Sequence, residues 1–157
     1  MRIGLGYDVH RLAPNIPLVL GGINIPHCQG LIGWSDADVL THAIMDALLG
    51  AAALGDIGTH FPPGDPKYKG ISSLALLSNV GQLLKKSGYK VGNVDVTIAA
   101  EQPKLAPHIE AMRTALAEAL GCAACDIGIQ ATTSEKLGFV GHEEGMAAWA
   151  IAAIEKT

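Results

Sequence analysis

One long helix-forming segment limits the folds open to this chain more than any other feature. Residues 37–54 are rich in Ala, Leu, Ile and Met, and no proline interrupts them. Asp36 stands just before the segment, and its side chain is of the type that accepts hydrogen bonds from the free N–H groups of a helix's first turn. The sequence therefore predicts a helix over residues 37–54, with Asp36 as its N-cap.

Strand patterns lie on both sides of this helix. Strands are predicted over residues 3–9, 89–99 and 126–132, with two short strands inside 17–25 that flank a Gly21-Gly22 turn. Further helices are predicted over residues 72–87 and 107–120. The alanine-rich tail over residues 145–156 fits a helix or a strand equally, because a short apolar run has no decisive period. This alternation predicts an α/β (α+β) fold built on one sheet.

Length and composition limit the assembly and the partners. The chain has 157 residues, which predicts a single domain over residues 1–157, and 49% of them are apolar. A chain this short and this apolar predicts a homo-oligomer, because one copy cannot bury all of that surface. The net charge is −4 and the 11 Lys and Arg residues are scattered, which argues against a nucleic-acid partner.

Three observations bear on localisation. No apolar run reaches the ~20 residues that a membrane span needs, and residues 1–10 lack the charged-then-apolar order of a signal peptide. Cys28, Cys122 and Cys125 are odd in number and provide no disulfide framework, which fits a reducing compartment. We therefore expect a cytoplasmic protein that starts at its mature end and has no membrane partner. A plastid location would require a presequence that has been removed.

Asp8, His10 and His42 are the candidate metal ligands. Asp8 and His10 are two residues apart on a predicted strand, so their side chains point to the same face. His42 lies in the first turns of the predicted helix, and Asp46 follows one turn later, in position to orient the imidazole. Two imidazoles and a carboxylate are the ligand set of a catalytic zinc, which keeps its fourth position open. The alternative is a hydrogen-bonded Asp and His without a metal.

Other segments suggest ligand chemistry of their own. Cys122 and Cys125 form one CxxC pair, but no second pair accompanies it, so we interpret it as structural. Residues 131–135 join a strand end to a glycine turn and offer hydroxyls, backbone N–H groups and the Glu135 carboxylate, which suit phosphate and magnesium. An ordinary turn is the alternative for this segment. The proline-containing loop over residues 56–70 is long enough to indicate a functional role.

Four separated motifs match one known family: DVH at 8–10, SDADVLTHAIMDALLGAAALGDIG at 35–58, NVDVTI at 93–98 and ATTSEKLGF at 131–139. On these motifs the chain resembles, from end to end, the 2-C-methyl-D-erythritol 2,4-cyclodiphosphate synthases of the non-mevalonate isoprenoid pathway. The resemblance implies a phosphorus-oxygen lyase that converts 4-diphosphocytidyl-2-C-methyl-D-erythritol 2-phosphate to the cyclic diphosphate and CMP. It also implies a homotrimer with active sites between subunits, with helices outside and one mixed sheet per subunit lining the centre. The tail is then a strand.

The resemblance implies a role for each motif. Asp8, His10 and His42 would hold zinc, one ion per subunit, and Glu135 would hold magnesium or manganese on the substrate diphosphate. Thr133 and the backbone of Trp34 would steady the reacting phosphates. Ser35 would contact a phosphate through its backbone N–H, as Trp34 would. The other implied substrate contacts are Asp56, Ile57, Gly58, Phe61, Pro62, Pro63, Gly64 and Asp65 around the erythritol, Ala100, Glu101, Gln102, Pro103, Lys104, Leu105, Ala106, Ala131 and Thr132 around the cytidine, and Ser134, Phe139 and His142.

Some positions depart from the family pattern. Trp34 stands where a His precedes the Ser-Asp pair, and Pro63 and Gly64 stand where polar residues occur. His142 stands where an Arg binds isoprenoid diphosphates in the trimer cavity, so such a ligand is an open question here. Two other functions also remain open: a zinc hydrolase that cleaves a nucleotide diphosphate with water, and a non-catalytic trimer that binds isoprenoid diphosphates.

Overall fold

The computed structural model describes residues 1–157 as a mixed sheet with helices on one of its faces, as the sequence predicted. The strands are β1 (Arg2–Pro14), β2 (Leu18–Leu20), β3 (Ile23–Ile25), β4 (Gln29–Leu31), β5 (Tyr89–Ala99), β6 (Ile127–Thr132) and β7 (Gly145–Lys156). The α-helices are α1 (Val39–Ala52), α2 (Ile57–His60), α3 (Ser73–Lys86), α4 (Ile109–Leu120) and α5 (Gly138–Gly141). Short 3-10 turns cover Pro66–Tyr68, Ala106–His108 and Ala124–Asp126. None of the helices is long and apolar enough to cross a membrane.

The main sheet has the strand order β4-β1-β7-β5-β6. Strand β7 pairs antiparallel with both β1 and β5, whereas β5 and β6 run parallel. Parallel neighbours need a crossover connection, and α4 provides it. Strands β2 and β3 form a separate hairpin, as the Gly21-Gly22 turn predicted. The tail is therefore a strand, and it lies at the centre of the sheet rather than at its edge.

Helix α1 packs directly on the backbone of β1. Gly4 and Gly6 permit this approach, because a Cβ on either residue would lie 2.0 Å from a carbonyl oxygen of α1. Residues two apart on a strand share a face, so Asp8 and His10 follow these glycines on the side that faces α1. The glycines thus hold the helix and the strand together beside the candidate metal ligands.

The N-terminus of α1 differs from the sequence prediction. Its N-cap is Asp38 and not Asp36, and the Asp38 side chain accepts a hydrogen bond from a first-turn N–H at 3.0 Å. Ala37 has a φ of 57°, a left-handed conformation that a helix cannot include. Asp38 is fully buried, and it also accepts hydrogen bonds from the N–H groups of Gly21 and Gly22. The residue therefore ties the hairpin to the start of α1.

The sheet face opposite the helices is apolar and exposed. It is formed by alternate residues of the neighbouring strands β1 and β7, namely Ile3, Leu5, Tyr7, Val9, Trp149 and Ile151. The rings of Tyr7 and Trp149 are cross-strand neighbours, with centroids 5.3 Å apart. On the helix side, by contrast, 35 buried residues form a continuous core. One copy thus leaves on one side a broad apolar surface of the kind that marks an interface.

Gly6→Ala should destabilise the protein, because the added Cβ has no space between β1 and α1. We expect the free energy of unfolding to fall by about 1–3 kcal/mol, as is typical of overpacking, in chemical denaturation at fixed protein concentration. Gly50→Ala is the matched control, since a Cβ there meets nothing closer than the Leu5 carbonyl oxygen at 4.0 Å. Equal stability of the two variants would contradict the need for this close approach.

Candidate metal centre and adjoining cavities

Asp8, His10 and His42 come together between β1 and α1. The Asp8 Oδ2 atom lies 3.0 Å from His10 Nε2 and 3.0 Å from His42 Nδ1, and the two nitrogens are 3.2 Å apart. The three side chains are largely buried, with exposed fractions of 22%, 18% and 9% respectively. Three electron-pair donors, two from a strand and one from a helix, therefore face one another. This confirms the prediction that these three residues lie together.

This set of donor atoms fits a divalent metal ion. His10 donates from Nδ1 to the Ile32 carbonyl oxygen at 2.7 Å, which leaves a lone pair on Nε2, the atom that faces the cluster. Lone pairs and a carboxylate this close repel one another unless a cation or a proton lies among them. One carboxylate and two imidazoles, with ligand atoms within 4.8 Å of one another, are typical of a catalytic metal site with an open position.

The three groups shift one another's protonation. When protons rather than a metal ion lie between the three groups, burial raises the pKa of Asp8, but its hydrogen bonds with the His10 and His42 rings and the charges of those rings together outweigh burial and lower the pKa to about 2. Burial lowers the pKa of His10, but the hydrogen bond to Asp8, the negative charge of Asp8 and the hydrogen bond to the Ile32 carbonyl together outweigh burial and raise the pKa above its ordinary value. Asp8 is therefore anionic at neutral pH, whereas a proton on His10 competes with a metal ion for Nε2.

A cavity of about 210 Å³ opens beside the cluster, and the three candidate ligands form part of its wall. Its other lining residues are Trp34, Ser35, Met45, Ile57, Gly58, Phe61, Pro63, Tyr68 and Leu76. Four of these nine residues, Ile57, Gly58, Phe61 and Pro63, belong to the segments predicted to hold or cover the erythritol, and Trp34 and Ser35 were predicted to contact a phosphate. Sequence reasoning missed Met45, Tyr68 and Leu76, because buried apolar residues give no signal that separates a cavity wall from ordinary core.

Asp46 has a different role from the one predicted. Its Oδ1 atom accepts a hydrogen bond from the Ile57 N–H at 2.8 Å, and no hydrogen bond joins it to His42. The expectation that Asp46 orients the imidazole is therefore corrected: the residue fixes the loop that lines the cavity. Asp56 caps α2 through its side chain and lies outside the cavity lining. The carboxylates of this region thus position backbone around the cavity.

Trp34 connects the cavity to the loop over residues 61–65. Its indole N–H donates to the carbonyl oxygen of Asp65 at 2.9 Å. The loop contributes Phe61 and Pro63 to the lining, and the residues left outside it are Pro62, Gly64 and Asp65. Sequence reasoning assigned Trp34 a backbone role, whereas the structure also shows its side chain holding this loop.

A second cavity, of about 220 Å³, lies at the carboxyl ends of β5 and β6. Parallel strands end at the same edge of a sheet, and here the Ala100 N–H donates to the Thr132 carbonyl oxygen at 2.9 Å. The lining residues are Ala100, Glu101, Pro103, Lys104, Leu105, Ala106, Ala131, Thr132 and Thr133. The two segments predicted for the cytidine thus meet in one cavity, although Gln102 is not in its lining. This cavity shares no residue with the first one.

Glu135 lies in the turn after β6 and is exposed. Thr133 Oγ1 donates to its carboxylate at 3.3 Å, and the Glu135 N–H donates back to that oxygen at 3.3 Å. Glu135 belongs neither to the Asp8 cluster nor to the lining of either cavity. Also outside both linings are Ser134, Phe139 and His142. A single chain therefore does not bring the predicted magnesium ligand next to the predicted zinc ligands.

The remaining metal-binding residue types take no part in either cavity. Cys122 and Cys125 are free thiols, and burial raises the pKa of Cys122, which keeps that thiol neutral and unreactive. His60 is hydrogen-bonded locally, from Nε2 to the Leu54 carbonyl oxygen at 2.8 Å. The Nε2 atom of His27 is buried and has no hydrogen-bond partner.

Comparison with known proteins identifies the family. The YgbB family model matches residues 1–155, which is nearly the whole chain. The chain belongs to the YgbB family. A relative from Dehalococcoides mccartyi (strain CBDB1), the 2-C-methyl-D-erythritol 2,4-cyclodiphosphate synthase, is 67% identical over 156 residues, which are 99% of this chain and 99% of the relative. These matches confirm the resemblance carried by the four sequence motifs.

Solved structures share the fold of this YgbB chain. A CDP-bound form of 2C-methyl-D-erythritol-2,4-cyclodiphosphate synthase is 36% identical with a TM-score of 0.90, over 98% of this chain and 100% of its own. The bifunctional IspDF of Campylobacter jejuni is 40% identical with a TM-score of 0.96 over 99% of this chain. The YgbB chain spans 42% of that bifunctional protein.

Metal affinity at the Asp8 cluster should fall as the pH falls. A metal ion must displace the His10 proton, and because the pKa of His10 is raised, the decrease begins at a less acidic pH than for an ordinary imidazole. Below that pKa we expect affinity to drop by about tenfold per pH unit for each proton displaced. Chelator competition with zinc across the neutral range measures it, and a flat pH profile would contradict coordination by His10.

Proposed function

We propose that the chain is a 2-C-methyl-D-erythritol 2,4-cyclodiphosphate synthase, which converts 4-diphosphocytidyl-2-C-methyl-D-erythritol 2-phosphate to the cyclic diphosphate and CMP in isoprenoid biosynthesis. One observation carries the proposal: the Asp8, His10 and His42 cluster opens on a cavity bounded by Trp34, by helix α2 and by the loop that follows α2. The 67% identity to a relative of that name supports it. A buried cation site beside a cavity suits a reaction that brings two phosphates together.

The proposed reaction is an intramolecular phosphoryl transfer. An oxygen of the 2-phosphate attacks the β-phosphorus and forms a new P–O bond, while the bond from that phosphorus to the oxygen bridging the α-phosphate breaks. The bridging oxygen keeps the electron pair and leaves as part of CMP. No water is consumed. The attacking phosphate is already largely anionic near neutral pH, so no side chain needs to act as a general base.

Asp8, His10 and His42 hold the metal ion in this proposal, and we propose zinc because a catalytic zinc site typically has three such ligands and one open position. When bound, the ion supplies a Lewis acid and a fixed template for a phosphate oxygen. The side chains themselves set where that position lies. Their burial also keeps bulk water from the donor atoms, which strengthens electrostatic interactions in the cavity.

In this proposal the turn after β6 binds the substrate diphosphate. Glu135 is exposed, so its carboxylate is accessible to a magnesium or manganese ion carried by the substrate. Thr133 donates a hydrogen bond to the phosphates when its hydroxyl turns from Glu135. Backbone N–H groups at Trp34 and Ser35, on the wall of the first cavity, donate to the β-phosphate.

In this proposal the erythritol and the cytidine of the substrate bind in different cavities. The erythritol lies in the first cavity, against Ile57 and Gly58, whose backbone is fixed by Asp46. The cytidine lies in the second cavity, where backbone groups of residues 100–106 read the base and Lys104 adds a cation. The solved CDP-bound synthase of similar fold supports a cytidine nucleotide as the ligand type.

We further propose a homotrimer with its active sites between subunits. The exposed apolar face of β1 and β7 supplies an interface, with Leu5 alone 69% exposed in a single chain. Assembly would also join the cluster of one subunit to the cytidine cavity and the Glu135 turn of its neighbour. The centre of such a trimer offers an apolar channel for an isoprenoid diphosphate, with His142 as a weaker anion partner than a guanidinium.

Residues 1–157 act in this proposal as one catalytic domain, which the 35-residue core and the family match over residues 1–155 support. We propose the cytoplasm as its location. The three free cysteines support a reducing compartment.

Product analysis tests the proposed reaction against the two alternatives. With zinc and magnesium present, we expect CMP and the cyclic diphosphate in equal amounts by phosphorus NMR. His42→Ala should reduce CMP release by roughly two orders of magnitude or more, because one metal ligand is lost. Chelation of the wild-type enzyme followed by return of zinc is the control for metal dependence. Linear phosphate products would instead support the hydrolase, and no turnover would support the non-catalytic trimer.

Leu5→Asp should prevent trimer formation, because a charge would have to be buried in the apolar interface. We expect a monomer in sedimentation, with CMP release lost but zinc affinity retained, since the cluster lies on the other face of β1. Gln82→Asp introduces the same charge at an exposed position of α3 and should leave the trimer intact. A trimeric and active Leu5→Asp protein would contradict the proposed interface.

A further inference from the structure

The side of His42 that faces away from the cluster contacts two hydroxyl groups. His42 Nε2 lies 2.9 Å from Ser73 Oγ and 3.2 Å from Ser35 Oγ. Ser73 is the first residue of α3 and is fully buried, with an exposed fraction of 0%. A buried hydroxyl beside an imidazole can either donate to the ring or accept from it, and the direction decides which ring nitrogen carries the proton.

Asp36 decides that direction. Its carboxylate accepts two hydrogen bonds from Ser73, one from the hydroxyl to Oδ1 and one from the backbone N–H to Oδ2 at 2.8 Å. An ionised carboxylate can only accept, so the single hydroxyl hydrogen of Ser73 points to Asp36. Ser73 Oγ therefore presents a lone pair to His42, and Nε2 of that ring must be the donor.

The other nitrogen of the ring is fixed by the same reasoning. A neutral imidazole carries one proton, so Nε2–H on His42 leaves a lone pair on Nδ1. Nδ1 is the atom 3.0 Å from Asp8 Oδ2, inside the metal cluster. His10 is held in the complementary form by the Ile32 carbonyl oxygen, which takes its Nδ1–H. Both rings thus turn a lone pair toward the same point.

This arrangement also affects the Ser35 hydroxyl group. Its Oγ accepts a hydrogen bond from the Ala37 N–H at 3.3 Å, and Nε2 of His42 needs no proton from it. The Ser35 hydroxyl hydrogen therefore has no required partner in the protein. Ser35 lines the first cavity, so this hydrogen is free to donate to a phosphate oxygen there.

We propose that Asp36 and Ser73 are positioning residues for the metal centre, which hold His42 in the Nε2–H form so that Nδ1 is free to bind the ion. The inference rests on the metal site of the proposed function. It gives Asp36 a role in the site in place of the helix cap expected for it, and it makes the docking of α3 beside α1 part of the metal site.

Ser73→Ala tests whether Ser73 holds His42 in the Nε2–H form. The backbone N–H of residue 73 still donates to Asp36, so the start of α3 is retained. The nearer acceptor for His42 Nε2, at 2.9 Å, is lost, and only the more distant Ser35 Oγ at 3.2 Å remains. We expect zinc affinity, measured by chelator competition, to fall by about 10- to 100-fold, the range found for partners of metal-binding histidines. In the zinc-loaded protein the proton signal of His42 Nε2–H should move upfield and exchange faster with water.

Ser72→Ala is the matched control. Ser72 is the neighbouring residue, it is exposed, and its side chain makes no capping hydrogen bond. The same chemical change there should leave zinc affinity and the His42 signal as in the wild type. Wild-type affinity in Ser73→Ala would overturn the inference.

Asp36→Asn tests whether Asp36 orients the Ser73 hydroxyl group. If the amide oxygen accepts from the Ser73 N–H, the amide NH₂ group faces Ser73 Oγ and turns its hydroxyl hydrogen toward His42. Zinc affinity should then fall, because Nε2–H and the hydroxyl would both be donors. In the Ser73→Ala background the same change should have little further effect, since Asp36 acts through Ser73. Independent, additive losses would overturn the inference.

These measurements separate the inference from the proposed activity. Zinc affinity and the His42 signal are read without substrate, so they do not depend on which reaction the enzyme catalyses. A wild-type protein that binds zinc and responds to Ser73→Ala, yet releases no CMP, would support the inference and refute the proposed function. Failure of the wild type to bind zinc would overturn both.

Discussion

The contact between helix α1 and strand β1 is made by backbone atoms, and the metal cluster depends on it. Gly4 and Gly6 carry no side chains, so carbonyl groups of α1 lie where a Cβ would be. Asp8 and His10 continue the same strand face and His42 lies on the facing helix, so donor atoms meet at 3.0 to 3.2 Å. Main-chain atoms therefore set the distance between the strand and the helix that carry the cluster.

Three aspartates then organise the surroundings of α1, each through backbone N–H groups. Asp38 joins the start of the helix to the β2–β3 hairpin, and Asp36, just before it, joins the first residue of α3. Asp46 holds the N–H of Ile57 and so fixes the loop at the cavity. One helix that carries a metal ligand thus also sets the position of the hairpin, of α3 and of the cavity loop.

The sequence predicted those features that depend on local pattern. Strand period, helix-forming runs and the two-residue spacing of Asp8 and His10 are local, and the structure agrees with all three. The sequence predicted Asp36 as the cap of α1, and the structure has Asp38, because the left-handed Ala37 between them keeps residue 37 out of the helix. The partner of Asp46 depends on where the following loop folds back, and Ser73 reaches His42 only through helix docking. No local sequence pattern predicts these two contacts.

The separation of the two cavities within one chain has a consequence for inheritance. In the proposed trimer each active site takes its metal cluster from one polypeptide and its cytidine cavity from another. Two defective alleles, one damaged at His42 and the other at Glu135, would then assemble into mixed particles in which some sites contain only sound parts. Cells that carry both alleles would recover activity that neither allele provides alone.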